Sequence, residues 1–166
     1  MAGVLYDAIV SVTSVSRRFD NITNFDGSTQ KTDFYPEGTR ALQLYDSSVT
    51  SYFLKAFGRN DREITCECER SNKPSMVQVL HLSNGSALND KLRSEKGRVS
   101  ELLAKENSEI IDDIYMLCFS RKPGEDQRKR ITELFAETPA EQKRAVVEDL
   151  FWALMTRSEE RRVGKE

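Results

Sequence analysis

Thr138-Pro139-Ala140-Glu141-Gln142-Lys143-Arg144-Ala145-Val146-Val147-Glu148-Asp149-Leu150-Phe151-Trp152-Ala153-Leu154 decides the fold class. Its opening four residues have the form of a capping box, with proline at the first helical position, where its missing N–H costs nothing. Val146, Val147, Leu150, Phe151 and Leu154 then recur at the spacing of one helix face, with Trp152 at the edge of that face. This is the best-specified helix of the chain.

Upstream, the same period returns in shorter pieces. Ile110, Ile111, Ile114, Tyr115 and Cys118 form the face of a helix capped by Ser108 and broken by Lys122-Pro123-Gly124. Gln127 to Phe135 is a basic helix with Ile131, Leu134 and Phe135 inward, and its Arg128-Lys129-Arg130 run reads as a solvated face. Two short helices carry Leu88 and Leu92, then Val99, Leu102 and Leu103, with Gly97 between them. Pro74 opens a further helix with Met76, Val79 and Leu80 inward, ended by Gly85.

The first half is less regular. Leu5, Ile9 and Val12 give a short amphipathic helix over 3–14. From Ser16 to Gly38 the pattern dissolves into Asn, Asp, Gly, Ser and Thr, which reads as a long loop. Asn21-Ile22-Thr23 matches the short glycosylation acceptor pattern. Thr39 to Leu44 alternates polar and apolar residues and reads as a short strand or extended segment. Asp46-Ser47 then offers a cap for a helix over 47–57, whose stripe is Val49, Tyr52, Phe53, Ala56 and Phe57 and whose stop is Gly58. The expected fold is therefore all-α: a compact array of several short-to-medium helices with long irregular connections and at most a minor strand element.

The chain has 166 residues, 38% apolar and 31% charged, enough to bury a core in one domain. A formal net charge of −2 argues against a general nucleic-acid surface. No apolar run approaches the roughly 18 residues of a membrane span, and the start lacks the basic and apolar blocks of a signal peptide.

Chemistry concentrates in Cys66-Glu67-Cys68-Glu69-Arg70-Ser71. Cys66, Cys68, His81 and Cys118 have the ligand types of a structural zinc site, but Cys-x-Cys is tighter than the usual ligand spacing, and an apolar face makes Cys118 a packing residue by default. A Cys66–Cys68 bridge would close a very small, strained ring and be easily reduced. The bland reading, two structural thiols or a loop clip, carries more weight, so no metal is assigned. Glu69-Arg70 is a candidate buried ion pair organising the loop, with Arg40 as a candidate second partner for Glu67 or Glu69. His81, between Leu80 and Leu82, is the one histidine and reads as a packing residue. The candidate cluster is thus Arg40, Cys66, Cys68, Glu69, Arg70 and His81. Serine-nucleophile motifs, phosphate-cradling glycine loops and the Cys-x-x-Cys-His haem attachment are absent from the sequence, so no catalytic residue and no cofactor is assigned.

Three stretches together carry a family resemblance: Gly38-Thr39-Arg40-Ala41-Leu42-Gln43-Leu44; Phe53 to Arg62 running into Cys66-Glu67-Cys68-Glu69-Arg70, Pro74 and Gln78-Val79-Leu80-His81-Leu82-Ser83-Asn84-Gly85; and Tyr115 to Pro123 with Glu148-Asp149-Leu150-Phe151-Trp152-Ala153-Leu154. From about residue 4 to 157 the chain resembles the C-terminal part of the planctomycete-type secreted-protein domain of unknown function fifteen-fifty-three. The resemblance implies an extracytoplasmic multidomain protein, with a companion domain upstream, often preceded by a cytochrome-c-like domain that would hold any haem. It supplies no activity. Cys118 departs from the small non-cysteine residue usual there. The run from Ser158 to Glu166 departs from the family's aromatic-rich ending, as a non-native or disordered tail would. Residues 1–157 are accordingly expected to be a single helical domain, the C-terminal fragment of a larger chain and a non-catalytic module packing on upstream domains. The alternatives are an enzyme subdomain that completes a site with the N-terminal part, or a small structural zinc or redox Cys-x-Cys site.

Overall fold

The computed structural model describes residues 2–24, 26–44, 48–59, 76, 78, 80 and 86–156, with residues 86 and 87 described by their backbone alone. The fold is mostly α-helical, with one two-stranded antiparallel hairpin as the sheet among the described residues. In chain order, α1 is Ala2–Thr13, β1 Asn21–Thr23, β2 Thr29–Lys31 and α2 Tyr52–Ala56. Then come α3 (Ser86–Arg93), α4 (Arg98–Leu103), α5 (Asn107–Phe119), α6 (Glu125–Glu137) and α7 (Lys143–Thr156). Single 3-10 turns sit at Ala41–Gln43 and Ala140–Gln142. Met76, Gln78 and Leu80 are helical, in keeping with the helix expected after Pro74, but Met76 and Leu80, expected on its inner face, are exposed; the remaining residues of that helix lie outside the described ones.

The α7 face forms as its period dictates: Val147, Phe151 and Leu154 are buried, and Val146, Leu150 and Trp152 flank them half-buried. It packs on α3, α4 and α5. Val147 and Phe151 are fully buried in one core with Ile110, Ile111 and Ile114 of α5. The helix entry differs from the expected capping box. Thr138 has extended backbone, as the residue before a proline prefers. Its hydroxyl turns back to donate to the Leu134 carbonyl at 2.6 Å, closing α6, and Pro139 opens a 3-10 turn before α7 begins. The cap expected of Ser108 is likewise displaced, because α5 already starts at Asn107 after Glu106. At its other end Ser120 adopts left-handed backbone (φ 55°), and its N–H donates to the Met116 carbonyl.

In the first half, two elements exchange places with what the sequence suggests. The expected loop contains the hairpin, with Asn21 opposite Lys31, Ile22 opposite Gln30 and Thr23 opposite Thr29. Its turn is organised by Asp26, whose carboxylate accepts from the Ser28 N–H and hydroxyl beside Gly27. Ile22 also forms an isolated bridge to Val49, so Val49 extends the sheet instead of starting a helix. Helix α2 therefore begins later, at Tyr52, with Ser51 rather than Asp46 or Ser47 as its cap; the Ser51 hydroxyl accepts from the Leu54 N–H. Conversely, the segment expected to be extended over Thr39 to Leu44 keeps extended backbone at Arg40 and Leu44 but turns into a 3-10 helix at Ala41–Gln43.

Helix α1 joins the two halves. It contacts the Ala41–Gln43 turn and α2 on one side, and α3 and α4 on the other. Its buried stripe is Ala2, Tyr6, Ile9 and Thr13, one step round from the Leu5, Ile9 and Val12 stripe of the sequence reading. Gly97 lets the α3–α4 junction approach the chain leaving α1: a Cβ there would lie 3.0 Å from Val15 Cγ2 and 3.1 Å from the Lys91 carbonyl oxygen.

Truncating the centre of this core tests the packing. Phe151→Ala should lower unfolding free energy by about 3–5 kcal/mol, read as a fall in the urea midpoint at constant slope.

Candidate functional site

Of the candidate cluster, the structure places Arg40. Cys66, Cys68, Glu69, Arg70 and His81, with Glu67, lie outside the described residues. Cys118 carries a free, half-buried thiol on α5, and burial pushes its pKa up to about 11, so it is a protonated packing residue at neutral pH. Among the described residues no group of three or more His, Cys, Asp or Glu side chains is placed to hold a metal ion. Asn21 of the glycosylation pattern is a strand residue, half-buried, with its amide donating to Asp20 Oδ1 at 2.8 Å.

Arg40 lines a cleft of about 340 Å³ between α1 and the turn before Ala41. Tyr6, Asp7, Arg17, Gly38 and Thr39 share that lining. The turn is built by Pro36-Glu37-Gly38-Thr39. Gly38 takes φ +84°, which glycine adopts without steric cost, while the Thr39 N–H and hydroxyl both donate to the Pro36 carbonyl. Arg40 follows in extended backbone, its N–H donating to Gln43 Oε1 at 2.9 Å.

Asp7 fixes this turn to α1. Its side chain is only 7% exposed. Its Oδ1 accepts the Ala41 N–H at 2.6 Å and its Oδ2 accepts the Leu42 N–H at 3.1 Å. The carboxylate thus satisfies the orphan donors at the start of the 3-10 turn, as a cap would, from 34 residues away in sequence. Arg40 Nε stands 3.8 Å from Asp7 Oδ2 with its side chain 66% exposed, so this ion pair contributes little beside the two amide bonds.

Behind the cleft, Tyr6 packs its ring against Phe19 and Phe53 at centroid distances of 5.7 and 5.5 Å. Its hydroxyl is buried and has no hydrogen-bond partner among the described residues. Burial raises the phenol pKa, against a smaller opposing effect of Arg17, so the group stays a neutral donor. The Lys91 ammonium lies 5.4 Å from the Tyr6 ring centroid and, from α3, donates to the Val15 carbonyl in the chain leaving α1. Burial, and secondarily the charge of Arg17, lowers the Lys91 pKa to about 8. Arg144 does a similar job on α7: it pairs with Glu148 at 2.8 Å and donates to the Arg93 carbonyl at the end of α3.

The residues 5–135 match the model of the family PSD1, described as Protein of unknown function (DUF1553). The chain belongs to this family. No curated protein and no solved structure matches it. The DUF1553 match contains the whole cleft, α1 from Leu5 onward, α2 to α5, α6 up to Phe135 and the Cys-x-Cys stretch; α7 lies beyond it.

Sequence reasoning singled out Arg40 and missed Tyr6, Asp7, Arg17 and Lys91. The available signal was an acid at position 7, one turn before Ser11 in an otherwise uncharged helix. It gains meaning only with the Ala41 and Leu42 amides in view.

The lysine has a measurable consequence. Its folded-state pKa near 8 lies below the unfolded value of about 10.4, so between these values the unfolded chain binds more protons and stability rises with pH. Above about pH 10 the raised phenol of Tyr6 acts in the opposite sense, because the folded state disfavours phenolate. Melting temperatures taken from pH 7.5 to 10 should therefore climb more in the native sequence than in Lys91→Met, which lacks the titrating group; parallel curves would contradict the assignment.

Proposed function

We propose that this chain is a non-catalytic helical module of an extracytoplasmic multidomain protein, working by packing on other domains of that protein. The observation that carries this reading is apolar surface beside the α1 hub. Val4 of α1 and Leu42 of the 3-10 turn are each 58% exposed. Leu42 Cδ2 reaches to 3.3 Å from where a Cβ on Gly3 would stand, so Leu42 lies against the first turn of α1, the turn that also carries Val4. Met76 and Leu80, four residues apart and helical, are also exposed. Neighbouring exposed apolar side chains mark surfaces that another protein surface covers. Family membership supports the multidomain context through the resemblance described above. No helix among the described residues is long and apolar enough to cross a membrane.

A second reading keeps the catalytic possibility in the complete protein. There Arg40, which lines a cleft, would join Cys66, Cys68, Glu69, Arg70 and His81 in a site completed by other domains. Reproducible turnover of a substrate by this chain alone would overturn the non-catalytic reading.

The docking reading is tested by the double substitution Val4→Asp with Leu42→Asp. Both positions are exposed, so the isolated chain should melt within about 0.5 kcal/mol of the native sequence. In the complete protein the same pair should lower the melting temperature and expose interdomain linkers to limited proteolysis. An unchanged complete protein would contradict docking through this surface.

A further inference from the structure

The cleft between α1 and the Pro36–Arg40 segment has features that neither packing nor docking uses. Arg17 lines it, is exposed, and makes no ion pair or hydrogen bond among the described residues. Arg40 lines it from the other wall, its side chain tied among the described residues by the long contact to Asp7. Asp7 brings one negative charge to the cleft wall, with its two oxygens bonded to the Ala41 and Leu42 amides and Arg40 standing beside them. With Asp7 counted against the two guanidiniums, the lining keeps a net positive charge.

Behind this lining lies a buried polar group with an unfilled requirement. Tyr6 is 5% exposed, and its hydroxyl has no hydrogen-bond partner among the described residues. Tyr6 is itself one of the residues that line the cleft. Buried hydroxyls are nearly always paired, and an orphan beside a cationic cleft is a donor without its acceptor. The Lys91 ammonium over the Tyr6 ring adds positive field from behind. Ser11 and Ser16 at the margin supply further hydroxyls.

We propose that the cleft lined by Tyr6, Arg17 and Arg40 binds a small oxyanion-bearing ligand, a carboxylate or sulfate group carried on a molecule of about monosaccharide size. Arg17 and Arg40 embrace the oxyanion from opposite walls, as guanidinium forks do with planar or tetrahedral oxygens. The Tyr6 hydroxyl donates to it from below, and the serine hydroxyls meet the body of the ligand. The cleft volume is at the small end of pockets that hold organic ligands, which fits one sugar-sized ring better than a polymer.

The test is calorimetric titration of the chain with sodium glucuronate and with sodium sulfate, with glucose as the neutral comparator. Saturable binding of either anion, with glucose inert, is the expected result. Glucuronate alone identifies a carboxylate ligand, and sulfate alone or better identifies a sulfate-bearing one. Arg17→Ala should weaken binding by about tenfold or more without moving the melting temperature, since that side chain is exposed and unpaired. Tyr6→Phe, which keeps the ring packing, should weaken it by a smaller factor. Absence of saturable binding of both anions up to roughly 10 mM, equal binding by glucose, or affinity unchanged in Arg17→Ala would overturn the assignment.

Discussion

A single buried carboxylate holds the irregular half of this molecule to its helical half. Among its described residues, the segment from Ser16 to Ser51 contains only a short hairpin and a 3-10 turn, elements too small to be stable alone. It is anchored where Asp7 accepts the Ala41 and Leu42 amides. Without that acceptor the buried Ala41 donor would be left unsatisfied, at a cost of about 1–3 kcal/mol, and the Leu42 donor would lose its partner at the part-buried edge. The same contact sets the position of Arg40 and closes one wall of the cleft. Fold and candidate site therefore share one interaction.

The helical half uses related chemistry for its joints. Helices α1 and α3 end without glycine caps. Lys91 donates to the Val15 carbonyl beyond the end of α1, and Arg144 donates to the Arg93 carbonyl at the end of α3. Long cationic side chains from the next layer thus bond carbonyls at these junctions: Arg144 meets the last carbonyl of α3, and Lys91 meets one two residues past α1, whose own end left-handed Ser14 closes by donating to the Val10 carbonyl. They differ in cost. Arg144 is paired with Glu148, whereas Lys91 faces Tyr6 and Arg17 with no carboxylate partner among the described residues, and its depressed pKa follows from that. The apolar cluster of Ile110, Ile111, Ile114, Val147 and Phe151 supplies the burial that tolerates such a site.

What the sequence reveals depends on whether the information is local. The faces of α5 and α7 were legible, because five apolar residues at helical spacing permit few alternatives. Their starts were not: Thr138 had the chemistry of an N-cap, but Pro139 forced it into extended backbone, where it closed the preceding helix. The hairpin escaped because three-residue strands are too short for alternation to show, and the Asp26-Gly27 turn was its one clear mark. Val49 looked helical by spacing with Phe53, yet pairing with Ile22 took it into the sheet. Arg40 was legible through the motif that links this chain to its family. Asp7 was not, since a lone acid in an apolar helix resembles a surface residue until its distant amide partners are placed. The Cys66 to Arg70 stretch and His81 lie outside the described residues, so their part in the candidate site rests on sequence.

The central claim is that Asp7 is the clasp between α1 and the Ala41–Gln43 turn. Residue-resolved hydrogen exchange of the Ala41 and Leu42 amides tests it most directly. In the native sequence both amides should be protected, and in Asp7→Ala they should exchange close to the free rate while the Val147 and Phe151 amides of α7 keep their protection. Free exchange at Ala41 and Leu42 in the native sequence, or protection that survives the loss of Asp7, would contradict the account.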